Sequence, residues 1–118
     1  MEKLCKIRDI QRAVAAFERL FEKNYGICLN EGMVLCLLYK ASPLSSGKIG
    51  KLLGLSLSNT SKIIVSMEKK GLVKRVMGTN DKRQMYFLLT TEGEKLILSV
   101  RNDDIEVSEL LKGCFCEA

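Results

Sequence analysis

Residues 72–93 read LVKRVMGTNDKRQMYFLLTTEG. Val73, Val76, Tyr86, Phe87 and Leu88 are β-branched, aromatic or apolar residues on either side of the turn-forming cluster Gly78-Thr79-Asn80-Asp81, the pattern of two strands joined by a tight loop. The loop is basic, and a new helix start follows the second strand. Immediately upstream, Ser58 to Lys70 form a short helix rich in Ser, Asn and Lys that Gly71 ends. A short polar helix followed by a basic hairpin has the form of a winged helix-turn-helix, whose helix fits the major groove and whose wing reaches the neighbouring backbone or minor groove. The fold class expected is therefore mainly α with a small β-hairpin wing, and the partner expected is double-stranded DNA.

Charge is concentrated in the same place. Between Ser45 and Gln84 stand Lys48, Lys51, Lys62, Lys69, Lys70, Lys74, Arg75, Lys82 and Arg83 against only Glu68 and Asp81. That region carries +7, which leaves −2 for the rest of a chain whose total is +5. A basic region that coincides with the predicted reader elements is the electrostatic footprint of phosphate binding, whereas a face kept basic for solubility need not coincide with them.

Working outward, a first helix is expected from about Glu2 to Asn24, because Ile7, Ile10, Val14, Phe17 and Phe21 recur at steps of three and four, widened by Ala13, Ala16 and Leu20. So apolar a stripe needs a partner. Asn30 is expected to cap a second helix whose Val34, Leu35, Leu37 and Leu38 make it central. Ala41-Ser42-Pro43 ends it, and Ser45 caps a short third helix with Ile49, Leu52 and Leu53 inward. Gly54 makes the turn and Ser56 caps the fourth helix. On that helix Thr60, Ile63, Ile64 and Met67 face the core, while Ser58, Asn59, Ser61, Lys62, Ser66 and Lys69 lie opposite. Hydroxyls, an amide and an ammonium on one face hydrogen-bond base edges or phosphates; a merely solvated face typically mixes Glu with Lys, and here Glu68 is the only acid.

Several function classes are excluded or made poor. The chain has 118 residues, enough for one core, and no run near the roughly 20 apolar residues that cross a bilayer. The N-terminal MEKLCKIRD is charged where a signal peptide is apolar, so a cytoplasmic location and no membrane partner are expected. Five cysteines without an export signal suggest reduced thiols, with Cys28 and Cys36 as core packing. There is no histidine, and Cys5, Cys28, Cys36, Cys114 and Cys116 show no ligand spacing, so no metal and no cofactor are expected. The missing histidine removes Ser-His and Cys-His catalysis, and no paired-carboxylate or Gly-rich phosphate motif replaces it. The chain is not expected to be an enzyme.

The run from Leu44 to Leu96 resembles the DNA-binding core of the MarR family of bacterial transcription regulators, whose pattern has a helix-turn-helix, an L-x-x-x-G-L-[VI]-x-R segment, a D-x-R wing tip and an L-T-x-x-G helix start. These appear as Met67-Glu68-Lys69-Lys70-Gly71-Leu72-Val73-Lys74-Arg75, with Met for the first Leu, then Asp81-Lys82-Arg83, then Leu89-Thr90-Thr91-Glu92-Gly93. With the first two helices, the resemblance runs to about Leu98. It implies that Arg83 enters the minor groove and that Asp81 orients it; an acid two residues before an arginine can hold the guanidinium fork, and a narrow minor groove attracts it. Arg75 and Lys82, in the same basic region, are expected DNA contacts as well. Thr90 or Thr91 resembles the cap of the following helix, and Thr91-x-x-Glu94 fits a capping box.

The resemblance further implies a single domain with residues 29–90 as the DNA-binding core and residues 1–28 and 91–111 as dimerisation helices, with Ile7, Ile10, Val14, Phe17 and Phe21 as the seam of a homodimer. The family usually closes with two helices that interleave with the other subunit; here one, roughly Thr91 to Leu111, is followed by Lys112 to Ala118. Members often hold a small aromatic or acidic effector between the dimer and DNA-binding regions, and one branch senses peroxide through a cysteine. Cys5, beside Lys6 and Arg8, is expected to be a partly buried packing thiol, and Cys114 and Cys116 a frayed tail. The reading is a repressor acting as a homodimer on a pseudopalindromic site. The alternative is a winged-helix protein-interaction module, which would not need concentrated charge on the helix and wing.

Overall fold

The structure is a computed structural model that describes residues 1–78 and 83–103, and it divides into two compact units: Met1–Leu29 with Asp103, and Asn30–Asn102.

In the first unit a single helix, α1 (Glu2–Tyr25), follows the apolar stripe. Glu2 in its first turn and Lys23 in its last complement the helix dipole. Gly26 ends it in the left-handed conformation (φ 71°), donating its N–H to the Glu22 carbonyl at 2.8 Å. Phe17, Phe21 and Tyr25, each one turn apart, stack as a ladder with ring centroids 6.1 and 4.9 Å apart. The Tyr25 hydroxyl donates to Asp103 Oδ2 at 2.7 Å. Of the expected seam, Ile7 is exposed, Ile10, Val14 and Phe17 are half-buried, and Phe21 is already buried in the single chain, which leaves it little surface for a partner. Cys5 is exposed rather than packed, because it precedes the part of α1 where burial begins.

The second unit is built from α2 (Leu29–Ala41), β1 (Leu44–Ser45), α3 (Ser46–Leu53), α4 (Leu57–Lys69), β2 (Val73–Met77), β3 (Met85–Leu89) and α5 (Thr91–Asn102). Asn30, expected as a cap, lies inside the first turn of α2. The core gathers Val34, Leu35 and Leu38 from α2, Ile49 from α3, Thr60, Ile64 and Met67 from α4, Val73, Phe87 and Leu89 from the strands and Ile97 from α5. Burying this many aliphatic and aromatic side chains, at roughly 1.5–3 kcal/mol each, is what holds a small unit together.

Local signals set the element boundaries. Ser45 Oγ accepts the Lys48 N–H and Ser56 Oγ accepts the Asn59 N–H, so both serines cap as expected. Between these helices Gly54 adopts φ 70°, and the Leu55 N–H returns to the Gly50 carbonyl at 2.9 Å. Gly50 is where α3 and α4 touch: a Cβ there would come within 2.6 Å of Thr60 Oγ1. Its burial also turns α3. At about 100° per residue, a face centred between Ile49, Gly50 and Leu53 leaves Leu52 on the flank, roughly 105° from that centre, and Leu52 is exposed rather than inward.

The hairpin is one strand richer than its sequence suggests. β2 and β3 pair antiparallel with Arg75 opposite Phe87, and β1 adds to the other edge of β3 through Leu44 opposite Phe87, giving the order β1-β3-β2. Leu44–Ser45 is too short to show a period of two, and its serine reads as a helix cap. The cap of α5 is Thr90, whose Oγ1 accepts the Gly93 N–H at 3.1 Å and donates to the Gly71 carbonyl at 2.6 Å; Thr91 is the first helical residue, so the Thr91–Glu94 capping box does not form. The expected extension of that helix to Leu111 lies outside the described residues, as do Cys114 and Cys116. Among the described residues no helix is long and apolar enough to cross a membrane.

Candidate nucleic-acid interface

The candidate surface is the outward face of α4 and the hairpin beside it. At about 100° per residue, Thr60, Ile64 and Met67 fall within about 60° of one another and are buried, and Ser58, Lys62, Val65 and Lys69 fall within a similar sector opposite and are exposed. Asn59 and Ser61 are exposed on the flanks. The helix therefore presents hydroxyl, amide and ammonium groups outward because its buried stripe is narrow and the N-cap at Ser56 fixes its start.

Ser66 differs from its sisters. It is half-buried, and its hydroxyl donates to Glu31 Oε2 at 3.0 Å. Glu31, buried in the first turn of α2, also receives the Lys70 ammonium at 2.8 and 3.1 Å. Its place on the polar side of α4 makes Ser66 an expected DNA contact, and the structure gives its hydroxyl a partner within the protein. The acid that claims it lies 35 residues away, on a different element.

Arg75 is likewise engaged. Its Nε and Nη2 donate to the two Glu68 carboxylate oxygens at 2.9 and 2.6 Å, and its guanidinium lies 5.7 Å from the centre of the Phe87 ring. The hydrogen bonds from Arg75 to Glu68, then the charge of that carboxylate, raise the guanidinium pKa above its ordinary value. A bidentate fork of this kind braces the end of α4 against β2. It also neutralises Glu68, the only acid on α4, so the exposed charges of Lys62, Lys69 and Lys74 act without a competing carboxylate from that helix.

On the wing side, Gly78 donates to the Gln84 carbonyl at 2.8 Å and closes the base of the loop. Arg83 is exposed and lines a cleft with Ser45, Ser61, Arg75, Gln84 and Phe87, so α4, β1 and the wing share one concave surface. Asp81 and Lys82 lie outside the described residues. Two features of the site were missed in sequence reasoning: the Glu31 pairing, which no local pattern signals, and the Arg75–Glu68 fork, for which the i, i+7 spacing across Gly71 is a weak sign.

Comparison with known proteins agrees with this geometry. A sequence model of the MarR family matches residues 27–85, half of the chain. A search of curated proteins finds no match. Among solved structures, a mutant of MarR from E. coli complexed with operator DNA superposes with TM-score 0.72 at 25% identity over 83% of this chain and 72% of that one. A mutant of MepR from S. aureus bound to an oligodeoxyribonucleotide gives TM-score 0.67 at 21% identity, covering 86% and 74% of the two chains. A further MarR family transcription regulator gives TM-score 0.78 at 23% identity, covering 96% and 72%. With a family match from Ile27 through the wing to Met85 and a winged helix-turn-helix fold shared with these structures, the chain belongs to the MarR family.

Proposed function

We propose that this protein is a transcription repressor that binds a pseudopalindromic duplex site as a homodimer, with α4 in the major groove and the hairpin loop in the adjacent minor groove. The observation that carries the reading is the exposed face of Ser58, Asn59, Ser61, Lys62 and Lys69 on α4, next to the exposed Arg83, with Glu68 tied into an internal ion pair. Polar groups of these kinds contact phosphates and base edges, and lysines supply counterion release. The E. coli MarR mutant solved with operator DNA is a relative in fold that binds in this class.

The test is a titration of duplex DNA across a range of salt concentrations. Lys62→Ala should reduce the salt slope by roughly one if Lys62 meets a phosphate, or lower affinity by about 1–3 kcal/mol at one base position if it reads a base. Arg83→Ala should weaken binding to a selected duplex while leaving the fold intact, because Arg83 is exposed on a loop. Wild-type affinity and slope in both variants would remove Lys62 and Arg83 from the interface, and failure of the wild type to bind any duplex at low salt would reject the DNA reading in favour of a protein partner.

A further inference from the structure

The helix α4 carries two exposed residues that the polar chemistry of its outward face does not explain. Val65 stands in the outward sector of α4 and is 43% exposed, with Ser61 and Lys62 one turn before it and Lys69 one turn after. Leu57, two turns earlier on the i, i+4, i+8 row that runs Leu57–Ser61–Val65, is 70% exposed. A single exposed aliphatic residue on a surface calls for no account. Two on one row, with a hydroxyl between them, form a strip that runs from the basic face to its wing-side edge. Ser61, Lys62, Val65 and Lys69 also line a shallow groove on that face, and Leu57, Ser61 and Val65 line the cleft toward the wing.

Charge complementarity commits this strip to one occupant. Lys62 and Lys69 attract a polyanion onto the face, and the major groove of duplex DNA is a polyanionic surface that also offers an apolar group at its floor, the C5 methyl of thymine. An aliphatic side chain on an exposed helix face gains nothing from phosphate and nothing from hydrogen-bonding base edges, but it gains burial against that methyl. We propose that Val65 and Leu57 read thymine methyl groups in the major groove, setting a preference for T at the base pairs they cover. This rests on the DNA-binding reading above and adds the chemical basis of part of its specificity.

The experiment uses the full chain and a duplex selected by it from a random-sequence library. Each thymine of that duplex is replaced in turn by deoxyuridine, which removes the methyl and keeps the Watson–Crick pair. Wild type should bind about three- to fivefold more weakly when a contacted methyl is lost, the value expected for one buried carbon, at one or two positions per half-site. Val65→Ala and Leu57→Ala, which remove exposed side chains and keep good helix formers, should each bind thymine and uracil duplexes equally at one of those positions while retaining the salt slope of wild type. Tight binding of wild type with no uracil-sensitive position, or uracil sensitivity unchanged in both variants, would overturn the methyl reading and leave DNA binding standing. Failure to select any duplex at low salt would sink both readings together and point the strip toward a protein surface.

Discussion

Gly93 shows how a family motif can rest on a single contact. A Cβ at this position would collide with the Leu72 carbonyl oxygen, which at the same time accepts the Thr90 N–H at 3.0 Å, so the acceptor is held and cannot step aside. Gly93→Ala should destabilise the protein by about 1–3 kcal/mol, the usual cost of forcing an extra carbon into a packed site, although alanine is the better helix former. The midpoint of urea denaturation measures it; a neutral or stabilising outcome would mean that α5 can slide on the hairpin. Glu31 is the matching case for a polar residue. Its carboxylate is buried, and the hydroxyl of Ser66 and the ammonium of Lys70 both reach it, which ties the start of α2 to the end of the reader helix. A charge in that position is tolerable only because these donors converge on it.

At the scale of elements, what could be read from the chain and what could not separate by range. Ser45, Gly54, Ser56 and Gly71 act through bonds or backbone angles within a few residues, and each was legible. The β2–β3 hairpin was legible because its turn cluster and β-branched residues are local. The third strand, the Glu31 pairing and the Arg75–Glu68 fork were not, since each depends on a partner brought near by folding. Leu52 was misjudged because an eight-residue helix gives too few apolar positions to fix its buried face, and the glycine that shifts that face has no side chain to announce it. On α1, burial first, then the hydrogen bond to Asp103 and the charge of that carboxylate push the Tyr25 phenol up to about 12. A folded pKa above the ordinary 10 means the stabilisation is complete below pH 10 and is lost as pH rises through 12. Phenolate absorbance during an alkaline titration should show a late component near 12 that Tyr25→Phe abolishes. Its persistence in that variant would assign it elsewhere.

For the whole molecule, the outstanding question is what meets the exposed part of α1. Leu4 and Ile7 are 70% and 52% exposed, and Ile10, Val14 and Phe17 continue the same stripe half-buried. An amphipathic helix with that much open apolar surface is expected to close against a second copy, and sedimentation at micromolar concentration should give a dimer. Phe17→Asp, which places a charge in the middle of the stripe, should shift the population to monomer. A monomeric wild type would remove the homodimer from the proposed function and with it the case for a two-fold symmetric site. Within the second unit, Leu44 and Ser45 both pair with β3, opposite Phe87 and Tyr86, and Ser45 also closes the first turn of α3. The wing and the helix-turn-helix therefore share a hinge pin rather than a linker: neither can fray without loosening the other, so a pull on the hairpin base is felt at the first turn of α3 as directly as if the two were one cooperative element.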